Sequence, residues 1–349
     1  MIRSKRKADH IRIATGLTEG SCSTGFEDVY LINDSVPELS IDDIDLSSYF
    51  LYKTLLYPLL INAITGGTSE AQQINRSLAV LAREHGLAMA VGSQTLALHE
   101  NDLRNTFTIV RQENPQGIIL ANVSAASSLE QALQAVDMIG ADGLQLHFNI
   151  PQELAMPEGD RDFSGVIENV SRLVEKSPVP IIAKEVGFGF SQEAVLRLYE
   201  AGIRCFDIGG KGGTNFVAIE DQRQGLFARE FDEWGIPTAM SLGEVLALEL
   251  PVKLIATGGI RTALDGVKAL AMGAALIGMA GPLLRILVRE GEIALNNYLQ
   301  GYLYRLKAGL LMTGSRNLEE LQQKPMIIIG KTAQWLTARG IDVNYWARN

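Results

Sequence analysis

Cysteine is almost missing. Cys22 and Cys205 are the two thiols in 349 residues, and neither sits in a metal-type spacing. The chain therefore offers no disulfide framework and fits two free thiols in a reducing compartment. Long apolar runs are missing as well. None approaches the ~18 uninterrupted residues of a membrane helix, and the basic N-terminus MIRSKRKADH lacks the apolar stretch of a signal peptide. A soluble cytoplasmic protein with no membrane partner is expected. Basic residues fall short too: 31 Lys and Arg face 40 Asp and Glu, a net charge of -9. That balance argues against a nucleic-acid partner. No low-complexity segment occurs.

Apolar residues are plentiful, at 47% hydrophobic against 20% charged, so a sizeable core is expected. From about residue 57 the chain alternates. The strand candidates are LLINAI (59–64), LAMAVGS (87–93), GIILANVS (117–124), GLQLHFN (143–149), PIIAKEVG (180–187), CFDIGG (205–210), KLIATGG (253–259) and ALIGMAG (275–281). Segments of helical period lie between them. One places Ile74, Leu78 and Leu81 on a single face and stops at Gly86. Ser128, Ser191 and Thr262 stand where N-caps belong. No GxGxxG follows the first strand, which disfavours a doubly wound open sheet. Eight βα units without a second composition regime predict one α/β domain, a (β/α)8 TIM barrel over about residues 57–290. Residues 1–56 read as an irregular N-terminal extension with short extended pieces. Residues 291–349 read as C-terminal helices, which could serve an interface.

Barrel chemistry sits at the C-terminal ends of the strands, and here those ends are polar or glycine-rich. In ATGGIRTALDGVKALAMGAALIGMAGPLL (256–284), Gly258 and Gly259 end the seventh strand, and Ala280-Gly281-Pro282 ends the eighth. Glycines let backbone N–H groups approach an anion, and helix N-termini favour negative charge. A phosphate is expected there. GGKGGTNF (209–216) suits backbone wrapping of a ligand, with Thr214 as a hydroxyl donor, and ITGGTSE (64–70) does the same after the first strand. Lys184 ends the fifth strand inside an apolar run, where a lysine needs a partner. In GLQLHFNIPQE (143–153), Gln145, His147 and Asn149 share one strand face, and Gln152 and Glu153 follow. Buried polar groups cost free energy unless something bonds them. Glu153, beside two amides, can hold Mg2+ when substrate phosphates complete the shell. Arg3, Lys5, Arg6, Lys7 and His10 form a basic cluster that could clamp an anionic ligand. His85, at a helix end, and His99, in a loop, read as surface residues.

The segments RKADHI, INAITGGT, VGSQ, ANVS, LHFNIPQE, MPEGDRDF, AKEVGFG, GGKGGTNF, TGGIRT and MAGPLL follow one another in an order and spacing that resemble the type 2 isopentenyl diphosphate isomerase family. The match runs from Arg6 to about residue 284, and LHFNIPQE with MPEGDRDF is its most specific part. The resemblance implies an FMN-dependent barrel enzyme that interconverts isopentenyl and dimethylallyl diphosphate. It also implies Mg2+, a reduced flavin with NADPH as reductant, and a homo-oligomer, tetramer or octamer. Ala63, Ile64, Thr65, Ser93 and Asn122 would line the flavin, and Lys184 would sit at its ring. Thr214, Gly258, Gly259, Ala280 and Gly281 would hold the FMN phosphate. Arg6, Lys7, His10 and Asn149 would bind the substrate diphosphate. Gln152 would face the substrate, Glu153 would hold Mg2+, and His147, Gln152 and Lys184 form the implied catalytic set. The sequence departs from the family at Ile64, usually Met, and at Phe148, usually aliphatic.

Moving a proton onto an unactivated alkene makes a tertiary carbocation, and no Cys–Glu pair suited to that task stands out. A reduced flavin with N5 and N1 as proton carriers fits better. A rival is an FMN-dependent 2-hydroxy-acid oxidase, whose catalytic His precedes a Gly-Gly after strand six; here Lys211 precedes Gly212-Gly213. A nucleotide dehydrogenase would need a loop cysteine, whereas Cys205 lies inside a strand candidate. A non-catalytic flavin-binding scaffold leaves the polar set at 147–153 without a role.

Overall fold

The computed structural model describes Ile13, residues 22–223 and residues 226–348. Eight strands close a parallel barrel in chain order: β1 (Leu59–Ile61), β2 (Ala88–Ala90), β3 (Ile119–Ser124), β4 (Gly143–Phe148), β5 (Ile181–Glu185), β6 (Cys205–Asp207), β7 (Lys253–Ala256) and β8 (Leu276–Met279). β8 closes on β1 with Ile277 opposite Leu59 and Met279 opposite Ile61. The expected barrel is the observed one.

The period of two along a strand decides what the interior holds. Leu60, Leu120, Ile182, Cys205 and Ile255 share one buried cluster at the N-terminal end of the barrel. Two residues further along each strand come Asn62, Asn122, Lys184, Asp207 and Thr257. The interior is thus apolar below and polar at the mouth. The hairpin of Ser48–Phe50 and Lys53–Leu55 closes the lower end, with Phe50 and Leu55 in the same cluster. Asp142 ties that end together, 2.5 Å from Lys53 Nζ and 2.6 Å from Arg111 Nη2.

Local sequence sets the helix ends. Thr68, Ser128, Ser191 and Thr262 each cap a helix through the side-chain oxygen. Gly86 ends the first barrel helix, Ser69–His85, with φ 61°, a left-handed conformation that glycine adopts without a Cβ penalty. Ile74, Leu78 and Leu81 are buried as the periodicity predicts.

Three features differ from the sequence reading. The C-terminal helical region begins at Gly281, directly after β8, and is broken at Gly291, whose φ is 87°. His99 ends a short helix, Thr95–His99, rather than lying in a loop. The strand Met326–Ile328 pairs antiparallel with Val29–Leu31; it joins the two ends of the chain, so no local pattern announces it. Among the described residues no helix is long and apolar enough to cross a membrane.

Candidate active site

A cavity of about 390 Å³ opens at the C-terminal mouth of the barrel. Ala63, Ile64, Thr65, Ser93 and Asn122 line it from β1, β2 and β3. His147 lines it from β4, Asn149, Gln152 and Glu153 from the segment that follows β4, and Lys184 from β5. Thr214, Gly258, Gly259, Ala280 and Gly281 line it from the loops after β6, β7 and β8. Every described residue named for the site from sequence reaches this one cavity. Arg6, Lys7 and His10 lie outside the described residues.

The loops after β6 and β7 interlock through glycine. A Cβ on Gly258 (φ 102°) would lie 2.0 Å from the Gly210 carbonyl oxygen, and one on Gly259 (φ 77°) 2.5 Å from that of Gly212. The helix that follows β8 starts at Gly281-Pro282 with no side-chain cap. Uncapped helix N–H groups beside a glycine cradle suit a phosphate. On this side of the cavity the residues present fit the phosphate of a flavin mononucleotide.

A buried polar network fills the floor. Asp207 is fully buried. Its carboxylate accepts from Asn62 Nδ2 at 2.7 Å and from the Thr257 hydroxyl, and Lys184 Nζ lies 3.0 Å away. Lys184 also donates to the Glu185 carbonyl at 3.2 Å. Gln145 Nε2 donates to Asn62 Oδ1, and Asn122 Nδ2 donates to Gln145 Oε1, both at 3.0 Å. His147 Nδ1 lies 2.9 Å from Asn122 Oδ1. The polar face of β4 is therefore satisfied partly inside the barrel, by Asn62, Asn122 and Asp207, and partly turned to the cavity. Sequence reading missed Asp207; an aspartate inside the apolar strand CFDIG was its only signal.

Glu153 stands on the short helix Ile150–Ala155. Its Oε1 accepts from Asn149 Nδ2 at 2.9 Å and its Oε2 from the Asp160 N–H at 3.0 Å. The loop closes tightly on it, since a Cβ on Gly159 would lie 2.0 Å from the Glu153 carbonyl oxygen. Among the described residues no group of three His, Cys, Asp or Glu could hold a metal ion. One carboxylate supplied by the protein is what Mg2+ takes when phosphate oxygens and water fill the rest of its octahedron. The donor set fits that use.

Gln152 Nε2 donates to Glu220 Oε1 at 3.2 Å, and Glu220 pairs with Arg223. Glu220, buried on the helix Phe216–Arg223, carried no sequence signal. Glu185 points away from Lys184, out of the barrel. Its Oε2 accepts from the N–H groups of Phe188 and Gly189 at 2.6 and 2.8 Å. Burial pushes its carboxyl up to about 8, against the pull of those two N–H groups and Lys184. Glu185 lines a second, mostly apolar cavity of about 660 Å³, with Phe148, Phe188, Phe190 and Trp234 in its wall, that shares His147, Asn149 and Glu153 with the first.

The FMN-dependent dehydrogenase family profile matches residues 79–328. The isopentenyl-diphosphate delta-isomerase of Moorella thermoacetica is 49% identical over 337 residues, 97% of each chain. That of Symbiobacterium thermophilum is 46% identical over 352 residues, 98% of this chain and 97% of its own. Among solved structures, the putative lactate oxidase of Pediococcus acidilactici superposes with a TM-score of 0.67 at 14% identity, over 94% of this chain and 93% of that one. A mandelate oxidase mutant carrying a monooxide FMN adduct gives 0.65 at 14% identity, over 92% of each chain. At that identity these oxidases share the fold.

Proposed function

The chain belongs to the isopentenyl-diphosphate delta-isomerase family, built on the FMN-dependent dehydrogenase barrel, and from that premise we propose how its mouth cavity divides the work. It interconverts isopentenyl and dimethylallyl diphosphate with FMN as cofactor. The observation that carries the division is the meeting, in one cavity, of a glycine cradle on one side with His147, Asn149, Gln152, Glu153 and Lys184 on the other.

The cradle of Gly258 and Gly259, with Thr214, Ala280 and Gly281, holds the FMN phosphate. Ala63, Ile64, Thr65, Ser93 and Asn122 line the ring system. Reduced FMN, when bound, supplies the proton donor and acceptor that the side chains lack, in a 1,3-proton shift with no net electron transfer. Lys184 sits at the ring. Asp207 behind it compensates its charge, so Lys184 acts as a fixed hydrogen-bond donor more than as a bare cation. His147, Asn149 and Gln152 orient the substrate, and Arg6, Lys7 and His10 bind its diphosphate. Glu153 would hold a Mg2+ ion, whose charge would offset that of the diphosphate. Positioning of this kind is the protein's share where a cofactor carries the chemistry. NADPH serves only to reduce the flavin.

A single-domain, cytoplasmic homo-oligomer, tetramer or octamer, completes the reading. Self-association is supported by the apolar side chains that the C-terminal helical region exposes, Val288, Ile293 and Met312 among them. The oxidase alternative is disfavoured at Lys211, which stands where an oxidase base is expected and donates instead to the Glu233 carbonyl at 2.9 Å. The deciding assay is isopentenyl diphosphate with Mg2+ and chemically reduced FMN. Dimethylallyl diphosphate should form under reducing conditions and not with oxidised FMN alone. Equal activity in both flavin states rejects the acid–base role.

A further inference from the structure

The floor network has a direction. A carboxylate only accepts hydrogen bonds, whereas a side-chain amide has one accepting and one donating end. Asp207 therefore turns the Asn62 NH2 toward itself, at 2.7 Å. That leaves Asn62 Oδ1 to accept from Gln145 Nε2 at 3.0 Å, and the Ala63 N–H, 2.8 Å from the same oxygen, agrees. Gln145 then offers Oε1 to the Asn122 NH2 at 3.0 Å. Asn122 is left with Oδ1 facing His147 Nδ1 at 2.9 Å. An oxygen can only accept, so the proton of that last bond belongs to Nδ1. Asp207, Asn62, Gln145 and Asn122 are all buried, none more than 4% exposed, so water does not compete for these orientations.

We infer that Asp207 fixes the tautomer of His147 through Asn62, Gln145 and Asn122, and is a positioning residue for the site. The neutral imidazole carries its proton on Nδ1, and Nε2 is the unprotonated nitrogen. At neutral charge the ring can therefore take up a proton at Nε2 and cannot donate one there. A phosphate oxygen, itself an acceptor, is met by Nε2 only after the ring has gained a second proton. The role of this tautomer in catalysis rests on the reading of His147 as a substrate contact; the tautomer itself does not.

The two are separated by a spectroscopic test on the FMN-loaded enzyme without substrate. Histidine-specific 15N labelling gives four rings, His10, His85, His99 and His147, and a His147→Gln sample identifies the fourth. Two-bond 1H–15N correlation spectra above the imidazole titration range should show Nδ1 of His147 protonated and Nε2 bare. Gln145→Met keeps the length and bulk of the side chain, cuts the relay and leaves the Lys184–Asp207 pair in place. It should shift His147 toward the Nε2–H tautomer, and Asp207→Leu, which removes the accepting oxygen that an asparagine would keep for Asn62, should do the same. A wild-type His147 with its proton on Nε2 overturns the inference, as does a Gln145→Met spectrum identical to wild type. Neither result depends on isopentenyl diphosphate being a substrate.

Discussion

The Asp207 carboxylate lies 3.0 Å from the Lys184 ammonium, at the point where strands β5 and β6 run side by side with these two residues opposite each other. Both side chains point into the barrel, and Asp207 is fully buried. Removing one partner of such a pair leaves the other desolvated and uncompensated.

Lys184→Ala should therefore destabilise the protein by roughly 2–4 kcal/mol and weaken FMN binding. Adding Asp207→Asn to it should recover part of the stability but none of the FMN affinity, because the charge left behind is removed while the ring contact is still missing. Urea denaturation of both variants and FMN fluorescence titration measure the two effects. A double variant as unstable as the single one contradicts the pairing.

For Glu153→Gln, shape is kept and charge is lost. The Asn149 bond survives on the amide oxygen, while the Asp160 N–H loses its acceptor at the other end. The Mg2+ concentration for half-maximal rate should rise about tenfold while FMN binding stays constant, since one carboxylate is the protein's contribution to the ion. A Mg2+ titration with saturating isopentenyl diphosphate checks this. An unchanged half-maximal concentration and maximal rate return Glu153 to an ordinary loop residue.

Gly258→Ala tests the cradle. The added methyl would meet the Gly210 carbonyl oxygen at 2.0 Å, on a residue whose φ of 102° already disfavours a side chain. The loops after β6 and β7 must separate to admit it, and FMN affinity should fall by about tenfold or more. Gly165→Ala is the comparison: its φ is 72° but nothing lies within 4 Å of the new atom, so it should cost backbone strain and leave FMN affinity alone. Equal FMN dissociation constants for the two variants would speak against the cradle.

Glu185 should make stability fall as the pH rises from 4.5 to about 8. Its carboxyl titrates at about 8 in the fold against an ordinary 4.5, so the folded state holds a proton that the unfolded chain releases. The stability gained is fully present below pH 4.5 and is lost as pH rises through about 8. In that window the slope is at most ~1.4 kcal/mol per pH unit. Glu185→Gln should flatten it. Urea midpoints collected across the window in both proteins give the comparison, and parallel curves would remove Glu185 as the source.

The barrel was legible because its information is local. Hydrophobic period, N-caps such as Ser128 and Thr262 and the stop at Gly86 act within a turn or two of chain, and eight repeats of the same unit leave few ways to close. The rim residues were legible for a related reason: a strand end in a barrel has one place to point, so Lys184, His147 and Gly258 could be assigned to one mouth before their distances were known.

Tertiary structure decided who bonds to whom. Asp207, Glu220 and the strand Met326–Ile328 gave little or no local signal, since each is defined by a partner far along the chain: Asn62 and Lys184, Gln152, and Val29–Leu31. The sequence by itself determined that polar side chains would gather at the barrel mouth, because a period of two puts every second residue inside. Only the closed barrel decided their pairing and the direction of each hydrogen bond. Those depend on which carboxylate is buried beside which amide, and burial is a property of the whole fold.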